Sequence, residues 1–503
     1  MKRIRYFTGS FLWVVIAKIS DAVIKFLSIP FLLNYFGKEN YGILVLAIST
    51  NAYMDLLDLG INTGAIKYFA QWIDEGKHAL VQRVSRTSIT FYLIVGLTNS
   101  LVLIVLALFG KNIFNISVAQ FGELQKMFLL LAFFCIINWS TSIFNQLLIA
   151  DEKIKFIQII NIVKSVTNFL FIVFTIKFSF SLVSYFFCLL TVNSLVLVPF
   201  YIKAKSRNLI RSFVPGFDWE SFRPILFYSI SIFAMGIFQF TATQSRAIVL
   251  AMFNTSGAAI LTEYRIIEVF PLFIISVGGM ILTILLPVTS RLIRQNQPER
   301  VAEMAYKGTI MTTVLVCCLC FPVMLNSAGL LALYVGKKYA FLSPWLNLWV
   351  LTIVLYLHNS PVASMILSTG RTKVLVFSAA IACLISIVIN VLFCNILGAG
   401  SAVVGYFVYI IIQMSFYYLH LNKKVLNLNS LKVLKSFLVP FCIALLACLP
   451  VYYIRSSKLS LVNEIILKSV LWAGLFSVML IGSGIIRIKD VIALPQKRQV
   501  IDG

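Results

Sequence analysis

The chain has 503 residues, 60% hydrophobic and only 12% charged, with a net charge of +24 and a mean hydropathy of +0.95. A soluble protein carries about 25% charged residues, so a soluble globular enzyme is excluded and an all-α polytopic membrane protein is implied. The positive charge is spread thinly over many short segments, which argues against a nucleic-acid partner.

Fourteen apolar runs are each long enough to cross a bilayer as a helix. The first six are 11–34, 42–68, 88–109, 125–149, 156–176 and 181–202. The next six are 225–248, 259–287, 308–334, 343–368, 374–395 and 399–419, and a last pair covers 432–454 and 463–486. The longest polar intervals, near Lys203–Arg223 and Thr289–Lys307, are too short to fold alone. With the N-terminus placed in the cytoplasm, 27 of the 42 Lys and Arg residues fall on inside segments and 8 on outside ones. Cytoplasmic loops accumulate such residues, so the bias predicts an even span count and both termini in the cytoplasm. Together with attraction to anionic lipids, it also accounts for most of the net charge. The first run is too long and too charged for a cleavable signal.

Span one carries Lys18, Asp21 and Lys25, which helical spacing puts on one face. Each ionised group in hydrocarbon costs roughly 2.5–3.5 kcal/mol. The triplet is therefore expected to line a wet cavity and meet an anionic substrate or a coupling ion. The plainer alternative is mutual neutralisation with the lysines snorkelling. Span two carries Asp55, Asp58 and Asn62 around Gly60, followed by Lys67. Two carboxylates on one face make a candidate cation or proton site, against a structural hydrogen-bonded pair. Span five holds Lys164. Span eight holds Glu263, Arg265 and Glu268, with Arg265 about 200° around the helix from Glu263.

His358 in span ten reads as a packed, hydrogen-bonded side chain rather than a proton relay. Pro30, Pro271, Pro322 and Pro361 are expected to bend their helices. All nine cysteines lie in apolar spans and read as buried thiols. Cys317, Cys318 and Cys320 have metal-like spacing, but no His or acidic residue flanks them. With no nucleotide-binding glycine loop, metal-ligand cluster or nucleophile–base pair, the expectation is no cofactor, no metal, no catalysis and no ATP bound to this chain.

Spans one to six and seven to twelve read as copies. Leu33-Asn34-Tyr35-Phe36-Gly37 leading to Gly42 matches Leu250-Ala251-Met252-Phe253-Asn254 leading to Gly257. Leu147-Leu148-Ile149-Ala150-Asp151 resembles Ile366-Leu367-Ser368-Thr369-Gly370, and Asn168-Phe169-Leu170-Phe171 resembles Asn390-Val391-Leu392-Phe393. The offsets are nearly constant at roughly 215 to 222, and both halves start on the cytoplasmic side, so they are parallel repeats. The expected domains are a six-helix bundle over 1–205, a cytoplasmic linker over 206–222 and a second bundle over 223–422. Two extra helices and a cytoplasmic tail occupy 423–503. A pathway between the bundles follows, with Lys18, Asp21 and Lys25 facing the seam.

The stretch Leu56-Leu57-Asp58-Leu59-Gly60-Ile61-Asn62 with Lys67-Tyr68-Phe69-Ala70 resembles the opening of bacterial polysaccharide flippases of the O-antigen type. Phe31-Leu32-Leu33-Asn34-Tyr35-Phe36-Gly37 with Tyr41-Gly42-Ile43 shares the resemblance, as does the Thr369-Gly370-Arg371 turn. These flippases belong to the multidrug/oligosaccharidyl-lipid/polysaccharide exporter superfamily. The resemblance implies two six-helix bundles in a V plus two extra helices. It also implies export of an undecaprenyl-diphosphate-linked oligosaccharide, such as a lipopolysaccharide repeat unit, across the bacterial inner membrane. On this reading Lys18, Lys25, Lys164 and Arg265 attract the diphosphate. Asp21, Asp55, Asp58, Glu263 and Glu268 are candidates for coupling to H+ or Na+. These acids nearly balance the interior cations, a departure from the family's cationic cavity. Partners would be the lipid-linked oligosaccharide, the coupling ion, bilayer lipids and a polysaccharide polymerase machinery. The alternatives are a multidrug or cation antiporter of the same superfamily, or a membrane polymerase, for which the outside loops are short.

Overall fold

The computed structural model describes residues 2–278, 298–369, 373–454 and 459–485. The end of span eight, Arg291, Arg294, the Gly370-Arg371 turn, Arg455, Lys458 and the tail with Arg487, Lys489, Lys497 and Arg498 lie outside the described residues. Among those described, the regular structure is helical, without strands. In chain order the helices begin with α1 (Lys2–Tyr53), α2 (Ile61–Asp74), α3 (His78–Phe109), α4 (Val118–Ala150) and α5 (Ile154–Lys177). They continue with α6 (Leu182–Leu195), α7 (Leu197–Ser206), α8 (Trp219–Phe253), α9 (Ala259–Gly278), α10 (Pro298–Leu325) and α11 (Ser327–Val335). The remainder are α12 (Ser343–Leu357), α13 (Ser360–Thr369), α14 (Lys373–Leu397), α15 (Gly400–Phe416), α16 (Ser430–Tyr452) and α17 (Leu461–Gly482).

Ten helical segments among the described residues are long and apolar enough to cross a membrane. The fourteen spans read from the sequence also rest on α1, α2, α8 and α9, which fall outside that ten. Charge and length separate three of these four: α1 and α9 each carry three charged residues in their apolar run, and α2 has only 14 residues.

Helix α1 is longer than span one. It runs through Lys38 to Tyr53 across a kink at Gly37 (φ 78°, ψ 171°), a conformation open to glycine because it has no Cβ. Span two is broken rather than continuous. A tight turn at Met54–Asp58 is followed by Leu59 (φ 51°) and Gly60 (φ 71°), both left-handed, before α2 begins. Span ten is also split, because Pro361 lies in the first turn of α13 and α12 ends at Leu357. Proline fits a helix start, where its missing N–H has no partner to lose.

The chain divides into two compact units, residues 1–269 with 375–409 and residues 270–374 with 410–503. In the first unit α3 packs along α4, α1 along α5, and α2 against α4 and α8. Small residues permit these approaches. A Cβ on Gly96 of α3 would lie 3.0 Å from Ile136 Cα of α4, and one on Gly64 of α2 would overlap Ser229 of α8. Between helices in lipid, such close van der Waals packing replaces the hydrophobic drive available in water. In the second unit α10 packs on α16, α12 and α13, and α16 on α17. Trp472 of α17 stacks on Phe321 of α10 with ring centroids 5.5 Å apart.

Candidate functional site

In α1, one helical turn separates Asp21 from Lys25, and their carboxylate and ammonium pair at 2.8 Å. The second oxygen of Asp21 accepts a hydrogen bond from Ser165 Oγ of α5 at 2.9 Å, tying α1 to α5. This wall encloses a cavity of about 370 Å³ inside the first unit, lined by Asp21, Lys25, Lys164 and Arg265. Lys18 lies on the same helix and is exposed, but it does not line this cavity.

The cations of the lining differ in what answers them. Lys25 has Asp21. Arg265 is paired with Glu268 at 2.6 Å, and Glu268 also accepts a hydrogen bond from Tyr264 at 2.8 Å. Glu263 leaves α9 on another side and pairs with Lys38 at 2.6 Å. Thr262 Oγ1 donates to the Lys38 carbonyl at 2.6 Å, so the segment after the Gly37 kink is fixed to α9. Lys164 is half-buried and has no carboxylate within ion-pair distance among the described residues. It also borders two further cavities, of about 340 and 260 Å³. An ammonium in a low-dielectric wall without a bound counterion favours an incoming anion.

The acidic pair of span two meets a different fate from that of two carboxylates on one continuous helix. The break at Leu59–Gly60 leaves Asp58 just ahead of α2, where its Oδ2 accepts the Asn62 backbone N–H at 3.2 Å. Its Oδ1 accepts the Tyr92 hydroxyl of α3 at 2.7 Å, and that hydroxyl accepts from Gln146 Nε2 of α4. Asp55 is exposed and has no ion pair or hydrogen bond among the described residues. Lys67 Nζ sits 3.7 Å from the centroid of the Tyr228 ring, a cation–π contact.

Sequence reasoning missed several groups. Arg246 lies in α8, which runs on to Phe253, beyond the end of span seven at 248. It is 7% exposed, with its guanidinium 4.4 Å from the Tyr406 ring centroid. Tyr92 and Gln146 escaped notice because their partner Asp58 is distant in sequence. Asn138, Asn145, Asn161 and Asn193 all border the smallest of the three cavities on Lys164. Their signal was a polar stripe at helical spacing, which neutral side chains make less visible than charges do.

A helical, multi-pass membrane protein with a charged cavity inside its first unit has counterparts among solved structures. A lipid II flippase in an inward closed conformation superposes with a TM-score of 0.72 at 14% identity, covering 93% of this chain and 99% of that one. An inward-facing multidrug resistance transporter of the MATE family, in the MOP superfamily, gives a TM-score of 0.59 at 16% identity over 84% and 96% of the two chains. A MOP superfamily transporter from Pyrococcus furiosus with a binding pocket of reversed polarity gives 0.56 at 16% over 85% and 94%. These likenesses establish the fold alone. No curated protein sequence matches the chain. A family model described as polysaccharide biosynthesis protein matches residues 7–293, more than half of the sequence. The chain belongs to that polysaccharide biosynthesis protein family.

Proposed function

We propose that the protein is a flippase that carries an undecaprenyl-diphosphate-linked oligosaccharide, an O-antigen or other surface repeat unit, across the bacterial inner membrane by alternating access. The observation that carries this reading is Lys164. Among the described residues it has no carboxylate within ion-pair distance, although the Asp21 charge reaches it, on the wall of a cavity whose other charges are paired. A diphosphate brings the negative charge that this wall lacks, and Lys25 and Arg265 sit on the same lining. Family membership and the fold shared with a lipid II flippase support a lipid-borne substrate.

On this reading the parallel duplication supplies two bundles over 1–205 and 223–422, and both termini lie in the cytoplasm. Proton or sodium coupling falls to Asp55. Asp21, Asp58, Glu263 and Glu268 already hold hydrogen bonds or ion pairs in this state. The test is complementation of an export-deficient strain. Lys25→Ala and Lys164→Ala should each lower surface polysaccharide at equal protein level, and normal polysaccharide with both would overturn the substrate assignment. A second reading, a multidrug or cation antiporter, is favoured by the open carboxylate of Asp55 and by the fold shared with MATE transporters. It requires efflux of an organic cation from proteoliposomes, which the flippase reading does not expect.

A further inference from the structure

Two neighbouring helices carry the same unusual pattern. In α4, Asn138, Thr141, Ser142 and Asn145 recur at i, i+3, i+4 and i+7 and form one polar stripe. In α5, Asn161, Lys164, Ser165 and Asn168 recur at the same spacing. The first four residues, with Asn161, Lys164 and Asn193, line the cavity of about 260 Å³. Its floor is apolar, made by Val196 and Phe200.

Helix packing uses part of this polar capacity. Ser194 Oγ donates to Asn138 Oδ1 at 2.9 Å, and Asn168 Nδ2 donates to Asn193 Oδ1 at 3.3 Å. Thr141 donates back to the Ile137 carbonyl at 3.1 Å, which leaves its oxygen free to accept. Asn145 Oδ1 is buried and has no partner among the described residues. A buried polar atom without a partner costs about 1–3 kcal/mol, so helix packing leaves part of the Asn145 carboxamide's hydrogen-bonding capacity unused.

The lining holds carboxamides and hydroxyls, one ammonium and no carboxylate. A carboxamide both donates and accepts, as does each hydroxyl of a sugar. An organic cation finds no counterion here, and an apolar drug would strip the amides of hydrogen bonds. The cavity is on the scale of one sugar residue rather than a chain of them. Because Lys164 borders both this cavity and the charged one, an occupant of this pocket lies beside whatever anion the ammonium holds.

We propose that the pocket between α4, α5 and α6 is a subsite for a single uncharged sugar, whose hydroxyls are read by Asn145, Asn161 and Thr141. The subsite rests on the flippase reading and adds to it a place for the sugar. The purified full chain in nanodiscs tests it against two probes, undecaprenyl diphosphate and undecaprenyl diphosphate bearing one N-acetylglucosamine. Wild type should bind the glycosylated lipid roughly tenfold more tightly. Asn145→Ala with Asn161→Ala should erase that gap and leave affinity for the bare lipid unchanged. Thr141→Val preserves side-chain shape and should narrow the gap roughly threefold, at the scale of one hydrogen bond. A thermal melt on each variant separates lost folding from lost recognition. Equal affinity of wild type for both lipids, or a gap unmoved in folded variants, overturns the subsite and leaves the diphosphate reading standing. Failure of wild type to bind either lipid overturns both.

Discussion

In the first unit, three carboxylates in helices are each answered by a cation: Asp21 by Lys25, Glu263 by Lys38, Glu268 by Arg265. The second unit treats His358 differently. It is 1% exposed, its Nε2 lies 2.8 Å from the Tyr418 hydroxyl, and its ring stacks 4.0 Å from that of Phe437. One arrangement keeps charge beside a cavity, and the other hides a neutral polar group among rings. The contrast teaches that a membrane helix can carry a polar residue for two unrelated reasons. Surroundings, not residue type, distinguish them.

Substitutions in the two regions should therefore fail in different ways. Lys164→Glu should lower surface polysaccharide more than tenfold at wild-type protein level. His358→Ala should lower stability by about 3–5 kcal/mol, the range for truncating a large buried ring, while the surviving protein exports at the wild-type rate per molecule. Complementation and a thermal melt on both variants would break the comparison if His358→Ala abolished export in folded protein. Asp58→Ala removes a hydrogen bond to the first turn of α2, worth about 0.5–1.5 kcal/mol, and leaves the Tyr92 hydroxyl without its acceptor. A lowered melting temperature, with Asp58→Asn falling between, is the expected result.

The smallest effect belongs to Asp218, the cap of α8. Hydrogen bonding from the Ser221 backbone N–H, followed by the nearby Arg83 guanidinium, holds its carboxyl below the ordinary range. A depressed carboxylate contributes stability above its unfolded value of about 3.9 and loses it as pH falls through the folded value. Melts between pH 7 and pH 3 should therefore drop slightly more in wild type than in Asp218→Asn. Parallel curves would remove that contribution.

Some long apolar runs bounded by polar loops were legible to within a few residues, whereas the helix holding the run 88–109 begins ten residues earlier, at His78. The run 156–176 became α5, Ile154–Lys177, and 374–395 became α14, Lys373–Leu397. Hydropathy fails where the backbone turns inside an apolar run. Leu59 gives no sign of its left-handed conformation, so the break before α2 was invisible, although Gly60 beside it had been noted. The run 225–248 holds Arg246 but stops short of Phe253, where α8 ends, because polar residues thin the hydropathy near the helix end. The charged wall was readable because Asp21, Lys25 and Lys164 interrupt apolar sequence. Which cation lacked a partner was not, because Arg265 finds Glu268 only once its rotamer is fixed.

Gly37 and Gly42 lie five residues apart in α1 and are constrained by unrelated things. Gly37 has nothing within 4 Å of where a Cβ would stand, and torsion alone holds it. Gly42 meets the Ala258 backbone with no room for a methyl group. Sequence drift is therefore closed at the two sites in different ways. Asn, which tolerates positive φ better than other residues, is the natural experiment at 37, whereas any exchange at 42 must wait for the segment around 258 to retreat. Glycine counts taken across relatives would merge these histories, and paired changes at 42 and 258 would separate them.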